Sequence, residues 1–166
     1  MRHLILSLFL FGSVMAADNE IDVLAFGVSH HFQNRDEYQF NELNPGVGLQ
    51  YWHKIDEYHG DHNVHTDVGL VVAEYKNSYS NLSVVYGGMV KAEWEINQDW
   101  HWNLQVGVAE VTGYYPSGVG LIGAVSIGYK RVNLDATFMP YTPNDKGAPP
   151  SSAAVAVWLR INVCEW

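Results

Sequence analysis

Short segments in which apolar residues alternate with small or polar residues dominate the chain. In the segment Val23–Phe32, one parity carries Leu24, Phe26, Val28, His30 and Phe32, and the other carries Val23, Ala25, Gly27, Ser29 and His31. Because successive side chains of a strand point to opposite faces, this pattern predicts a strand with one aliphatic face. We expect the first set to face lipid and the second set to face the interior of a barrel.

The same alternation recurs along the rest of the chain, with turns between the segments. The further predicted strands cover Pro45–Lys54, Val64–Ala73, Leu82–Trp94, Trp100–Ala109, Val119–Tyr129, Val132–Phe138 and Val155–Cys164. With the first, they predict an all-β fold, an eight-stranded antiparallel transmembrane β-barrel whose closure removes exposed sheet edges. The alternative is a soluble lipocalin-like barrel with its large side chains inside, but the Gly- and Ser-rich second face favours the membrane form.

Tryptophans and connection lengths agree with a barrel that crosses a membrane. Trp52, Trp94, Trp100, Trp102, Trp158 and Trp166 lie near predicted strand ends or turns, as interfacial girdles do. With the N-terminus on the inner side, the connections Gln33–Asn44, Lys76–Asn81, Thr112–Gly118 and Pro140–Ser152 fall outside. The inner turns are Ile55–Asn63, Ile96–Asp99 and Lys130–Arg131, and the first of them is unusually long for its side.

The N-terminal segment has the features of a secretory signal peptide. Arg2 and His3 precede the apolar run Leu4–Phe11, and Val14–Ala16 supplies small residues at a cleavage site. We therefore expect Met1–Ala16 to be removed and residues 17–166 to form one barrel domain in the cell outer membrane.

Charge and cysteine content limit the classes of partner. The formal net charge of −9 argues against nucleic acid, because phosphate binding needs a basic face. The single cysteine, Cys164, cannot form an internal disulfide. We expect a monomer without a cofactor.

Polar residues from three strand ends are predicted to meet at the outer rim. They are Ser29 and His31 after strand one, Asn77 and Ser78 after strand three, and Glu110, Thr112 and Tyr114 after strand five. A hydroxyl, an imidazole and an orienting group are the parts of an activated-nucleophile site. A solvated polar rim is the alternative interpretation.

Several of these residues lie in segments that resemble a known family. Glu74–Tyr79, followed by Val85–Gly88, resembles the hairpin of the outer-membrane lipid A palmitoyltransferases, with its aromatic-Lys-Asp-Ser-Trp stretch and later Gly-Tyr-Gly. Asn41-Glu42 with Gly46–Trp52 is similar to the Asn-Glu and Gly-rich second strand of that family. Gly107–Thr112, Val125–Tyr129, Met139–Tyr141 and Val157–Arg160 are similar to its later strands, in the same order.

The resemblance implies an eight-stranded outer-membrane barrel that moves a palmitoyl chain from a phospholipid to lipid A. The functional residues of the family are a histidine on strand one and an Asp-Ser pair after strand three. By match, the serine is Ser78, the aspartate position is Asn77, and the histidine is His31 or His30; inward parity favours His31. Asn77 is a departure, because an amide cannot carry the negative charge that stabilises an imidazolium.

Two functions of different classes follow. The first is a lipid-modifying acyltransferase or acyl hydrolase with phospholipid and lipid A as partners. The second is a non-catalytic barrel whose outer loops bind a partner or modify surface properties, and Asn77 is the residue that favours it.

A histidine-rich turn is a separate candidate. His59, His62 and His65 lie close together beside Asp61, at spacings that can hold zinc or nickel. The segment lacks cysteine and a fixed geometry, so we expect a solvated, pH-sensitive turn, with metal binding as the alternative.

Overall fold

Eight antiparallel strands form the described part of the chain. The computed structural model describes residues 19–32, 40–58, 63–113, 118–139 and 154–166, so the predicted signal peptide lies outside the described residues. The strands are β1 (Asn19–His31), β2 (Leu43–Tyr58), β3 (Val64–Lys76), β4 (Leu82–Glu95), β5 (Trp100–Val111), β6 (Gly118–Tyr129), β7 (Val132–Met139) and β8 (Ala154–Glu165).

Each strand pairs with its sequence neighbours, and β8 pairs with β1 to close the barrel. The β1–β8 register runs from Glu20↔Glu165 to His31↔Ala154. The predicted fold class is therefore confirmed. The inner turn predicted over Ile55–Asn63 is shorter than expected, because β2 continues to Tyr58, which pairs with Val64.

Apolar side chains cover the outer wall of the barrel. They include Val28, Val47, Leu49, Leu70, Val72, Val90, Leu104, Val106, Val108, Leu121, Val125, Ile127, Leu134 and Leu159, all exposed. A surface this apolar would be unfavourable in water and is the feature of barrels that span the outer membrane. The chain is thus a transmembrane β-barrel of the outer-membrane type, and the lipocalin-like alternative is wrong because the large side chains point outward.

None of the described residues belongs to a helix long and apolar enough to cross a membrane.

A β-bulge at Gly27 changes the facing of β1. The register shifts between Phe26 and Val28 against both β2 and β8. On the inner side of the bulge, Leu24 is buried in the barrel. On the outer side, Val28 faces lipid. The prediction that the whole set from Leu24 to Phe32 faces lipid is therefore wrong for Leu24 and Phe26, because the bulge inverts the parity of the strand at Gly27.

Two buried cations organise the inner half of the interior. Arg160 donates from Nη1 to Asp22 Oδ2 at 2.8 Å and from Nε to Asp135 Oδ2 at 2.9 Å. Lys91 Nζ lies 2.8 Å from Glu20 Oε2. Buried charges need such partners, and this network pairs the two cations with carboxylates from neighbouring strands.

The interior nearer the outer rim is apolar instead. The ring of Phe26 stacks on Tyr75 at a centroid distance of 5.1 Å and lies 5.5 Å from Trp158. Further members of this apolar layer are Leu24, Trp52, Val71, Ala73, Val85, Met89, Ala109, Val111 and Ile122. The barrel interior therefore has an ionic layer toward the inner end and an apolar layer above it, and the buried polar side chains of Ser29, His31, Asn77 and Ser78 lie at the outer rim.

Two of the predicted girdle tryptophans belong to the interior. Trp52 is 1% exposed, and its Nε1 donates to Asp22 Oδ2 at 3.1 Å. Trp158 Nε1 donates to Asp135 Oδ2 at 2.9 Å. The girdle prediction is wrong for these two residues, because their indole N–H groups are used by buried carboxylates.

The wall is incompletely paired at one place near the outer rim. The β6–β7 ladder runs only from Val125↔Ala136 to Tyr129↔Val132. Residues 118–124 of β6 have no ladder partner on β7 among the described residues. Backbone pairing of the two strands thus ends at Val125, and the Thr137 hydroxyl of β7 still donates to the Gly123 carbonyl oxygen of β6 beyond that point.

Candidate functional site

His31 and Ser78 meet at the outer rim although 47 residues separate them in sequence. His31 Nε2 lies 2.8 Å from Ser78 Oγ, and the contact is buried. His31 lies at the outer end of β1, and Ser78 lies in the turn between β3 and β4. In the tautomer protonated at Nδ1, the hydroxyl donates to Nε2, which is the geometry of a serine activated by a general base.

Between the bulge at Gly27 and the outer end of β1, the side chains face the sides that the alternation predicts. Ser29 and His31 are both buried, whereas His30 and Phe32 are exposed on the outer wall. His30 Nδ1 lies 3.2 Å from Glu42 Oε1, on the lipid side of the strand. Of the two candidate histidines, His31 therefore shares the interior with Ser78 and His30 does not.

Aromatic residues fix the imidazole ring. Phe40 stacks on His31 with a centroid distance of 4.3 Å and an interplanar angle of 10°. Tyr79 packs edge-on against Phe40 at 5.7 Å. Because this stack limits rotation of the imidazole, it holds Nε2 toward the Ser78 hydroxyl.

A backbone hydrogen bond joins the two segments that form the site. Asn41 N donates to the carbonyl oxygen of Ser78 at 2.7 Å. This bond ties the segment before β2 to the β3–β4 turn, so the backbone next to Phe40 is held against the backbone of Ser78. The alternation pattern does not indicate Phe40, and its position directly before the Asn41-Glu42 pair is the only sequence feature that points to it.

The Asn77 side chain stabilises the β3–β4 turn. None of its hydrogen bonds among the described residues goes to the imidazole of His31. Its Oδ1 accepts from the backbone N–H of Tyr79 at 2.9 Å and of Asn81 at 3.0 Å. Its Nδ2 donates to Ser83 Oγ and to the carbonyl oxygen of Gly113, both at 2.9 Å. All four bonding capacities of the amide are thus used to hold the turn that carries Ser78.

The other rim candidates do not join the pair. Glu110 lies on the outer wall, where its Oε2 accepts a hydrogen bond from Tyr86. Thr112 Oγ1 accepts from the Val84 backbone N–H at 3.1 Å. Ser29 Oγ is buried and has no hydrogen-bond partner among the described residues, and Tyr114 lies outside them.

The histidine-rich turn is only partly described. His59 and His62 lie outside the described residues. His65 is on β3, where its Nε2 lies 3.2 Å from Glu93 Oε1. Within the described ranges, no group of three or more His, Cys, Asp or Glu side chains is arranged to hold a metal ion.

Comparisons with known proteins find solved β-barrel structures that are similar to this chain. No family model and no curated protein matches the chain. The crystal structure of Ail, the attachment invasion locus protein of Yersinia pestis, is 14% identical over 92% of this chain and 100% of that chain, with a TM-score of 0.41. Its complex with the heparin analogue sucrose octasulfate has the same identity and coverage and a TM-score of 0.43. The backbone structure of Ail in a phospholipid nanodisc is 12% identical over 87% of this chain and 99% of that chain, with a TM-score of 0.39.

Proposed function

We propose that the barrel is an outer-membrane lipid acyltransferase of the lipid A palmitoyltransferase type, with Ser78 as nucleophile and His31 as general base. The observation that carries the proposal is the buried contact of 2.8 Å between His31 Nε2 and Ser78 Oγ. A serine hydroxyl is a weak nucleophile unless a neighbouring base accepts its proton, and this geometry provides one.

The chemistry consists of two balanced steps. Ser78 Oγ attacks the ester carbonyl of a phospholipid while His31 takes the hydroxyl proton, and that proton passes to the departing lysophospholipid oxygen. The acyl group is then on Ser78. A hydroxyl of the acceptor, deprotonated by His31, attacks the acyl-serine and restores the free serine. If water replaces the acceptor, the same site acts as an acyl hydrolase.

The interior beneath the site favours an acyl substrate. Tyr75 lies three residues before Ser78, and its ring belongs to the apolar layer with Phe26 and Trp158. A hydrocarbon chain is compatible with this apolar layer and not with the ionic inner end, and it would take the space in which Phe26, Tyr75 and Trp158 pack against one another. Residues 118–122 of β6, which lie between the Thr137–Gly123 hydrogen bond and the outer rim and have no ladder partner on β7 among the described residues, offer a way for a lipid to enter through the wall.

In this proposal, Asn77 stands where the family has an aspartate, and its role is to position Ser78. Because its amide holds the turn, it orients the Ser78 hydroxyl without supplying charge. Phe40 then supplies the orientation of His31 by stacking.

A non-catalytic surface barrel is the second candidate. Asn77 favours it, because the neutral amide leaves the His31–Ser78 pair without the carboxylate that the family places at this position. On that hypothesis the polar contact at the rim only stabilises the packing of the turn against β1.

Mass spectrometry of lipid A from cells with and without the barrel tests the proposal. We expect a mass gain of one palmitoyl group, abolished by Ser78→Ala. Ser80→Gly is the matched control, because Ser80 lies exposed in the same turn and has a positive φ of 63° that glycine accepts. Unchanged lipid A in cells with correctly folded barrel would favour the non-catalytic candidate.

A further inference from the structure

An aromatic wall covers the inner end of three neighbouring strands. Trp94 of β4 stacks on Trp102 of β5 with a centroid distance of 4.1 Å and an interplanar angle of 8°. Trp100 of β5 lies 5.0 Å from Tyr129 of β6. These four residues, which we call the inner aromatic wall, lie next to the turns on the inner side, at the depth where aromatic side chains meet lipid headgroups.

Two adjacent cations lie directly beyond this wall. Lys130 and Arg131 form the whole turn between β6 and β7, and both are exposed. Lys130 Nζ lies 5.3 Å from the ring centroid of Tyr129. The cations are therefore placed where a lipid whose chains contact the aromatic wall has its phosphate.

The backbone of this turn is held on both sides. Lys130 N donates to the carbonyl oxygen of Asp99 at 2.7 Å, and Asn162 N donates to that of Arg131 at 2.8 Å. The turn is thus fixed against the β4–β5 turn and against β8. Its side chains project from a rigid base, so binding a phosphate would order only the side chains.

The charges of the turn are only weakly neutralised by the protein itself. Lys130 Nζ lies 3.8 Å from Asp99 Oδ1, and both side chains are well exposed, so this ion pair is weak. No carboxylate of the described residues forms an ion pair with Arg131. The chain has 9 Lys and Arg residues against 18 Asp and Glu residues, and Lys130 and Arg131 are its only Lys or Arg residues that are adjacent in sequence.

We propose that this inner end binds an anionic phospholipid of the inner leaflet, with Lys130 and Arg131 on the phosphate and the acyl chains against the inner aromatic wall. The charge complementarity of the two cations selects an anionic headgroup over a zwitterionic one. Basic residues near an anionic surface strengthen binding about fivefold each. The site is at the opposite end of the barrel from Ser78 and is independent of the proposed activity.

Fluorescence quenching by brominated lipids measures this preference. The full barrel is refolded into vesicles with equal amounts of phosphatidylcholine and phosphatidylglycerol, and either lipid carries bromine in its acyl chains. Because Trp100 and Trp102 face lipid at the inner end, bromine on a bound lipid quenches them directly. We expect brominated phosphatidylglycerol to quench the wild type more strongly than brominated phosphatidylcholine, and high salt to reduce the difference.

Variants locate the effect. The double variant Lys130→Gln with Arg131→Gln should lose the preference, because two cations at about fivefold each contribute about 25-fold. Lys76→Gln, a cation at the outer end of β3, is the matched control and should keep it. Gel mobility with and without heating verifies that each variant is folded. Equal quenching of the wild type by both lipids, or an unchanged preference in the double variant, would overturn the proposal.

Discussion

Removal of the buried guanidinium of Arg160 should destabilise the barrel strongly. The side chain is 0% exposed and pairs with Asp22 and Asp135 at 2.8 and 2.9 Å. Arg160→Met leaves both carboxylates buried without their cation, and breaking a buried pair in this way costs about 3–5 kcal/mol. The indole N–H groups of Trp52 and Trp158 each keep one hydrogen bond to these carboxylates, so we expect a value within that range rather than above it.

The free energy of unfolding in urea, measured by tryptophan fluorescence in phosphatidylcholine vesicles, gives this value. Lys130→Met is the matched control, because its pair with Asp99 spans 3.8 Å between exposed side chains and contributes below about 1 kcal/mol. The triple variant Arg160→Met, Asp22→Asn, Asp135→Asn should recover most of the loss, because it removes the unpaired charges as well.

Two results would refute the reasoning about Arg160. One is an Arg160→Met barrel within about 1 kcal/mol of the wild type. The other is a triple variant no more stable than the single one, since that would mean that the lost stability does not come from unpaired carboxylates.

Two further substitutions test the packing and the turn. Gly69→Ala would place a Cβ 2.9 Å from Trp52 Cδ2 and closer still to a backbone carbonyl, so it should cost at least about 1–3 kcal/mol in the same urea assay. Gly120→Ala is the control, because its Cβ has no heavy atom within 4 Å, and it should change the free energy of unfolding by less than about 0.5 kcal/mol. Equal losses of stability in the two variants would show that close packing around Gly69 is not the cause. Asn77→Asp removes both donor bonds of the amide and places a carboxylate against the Gly113 carbonyl, so stability should fall by about 1–3 kcal/mol and acyl transfer should fall with it. Higher activity in Asn77→Asp would show instead that a missing negative charge limits the site.

Periodicity was sufficient to predict the strands and the closed barrel, and it failed where the backbone departs from regular pleating. Strands β3 to β5 carry their predicted faces, with Lys91, Gln105 and Ala109 inside. In β1 the bulge at Gly27 inverted the faces of Leu24 and Phe26. A glycine inside a strand is compatible with a bulge, but nothing in the alternation shows on which side of it the parity changes.

The sequence placed His31 and Ser78 at the same rim, but it did not indicate which of the rim side chains make contact. Alternation placed His31 inside and His30 outside, and strand order placed Ser78 on the same rim. The hydrogen bonds of Asn77, the stack of Phe40 on His31 and the Asp22–Arg160 pair depend on side chains from separate strands. Such long-range pairings follow from the barrel register, which a single sequence does not specify to within one residue.

Release of lysophospholipid by the purified barrel in phospholipid vesicles tests the central claim most directly. His31→Ala should lower the rate by at least about a hundredfold, because a general base contributes 10²–10⁴ to such a reaction. His30→Ala is the matched control, since its ring lies on the lipid side of the same strand beside Glu42, and its rate should stay near that of the wild type. Equal rates for wild type and His31→Ala, or no release by the folded wild type, would contradict the account.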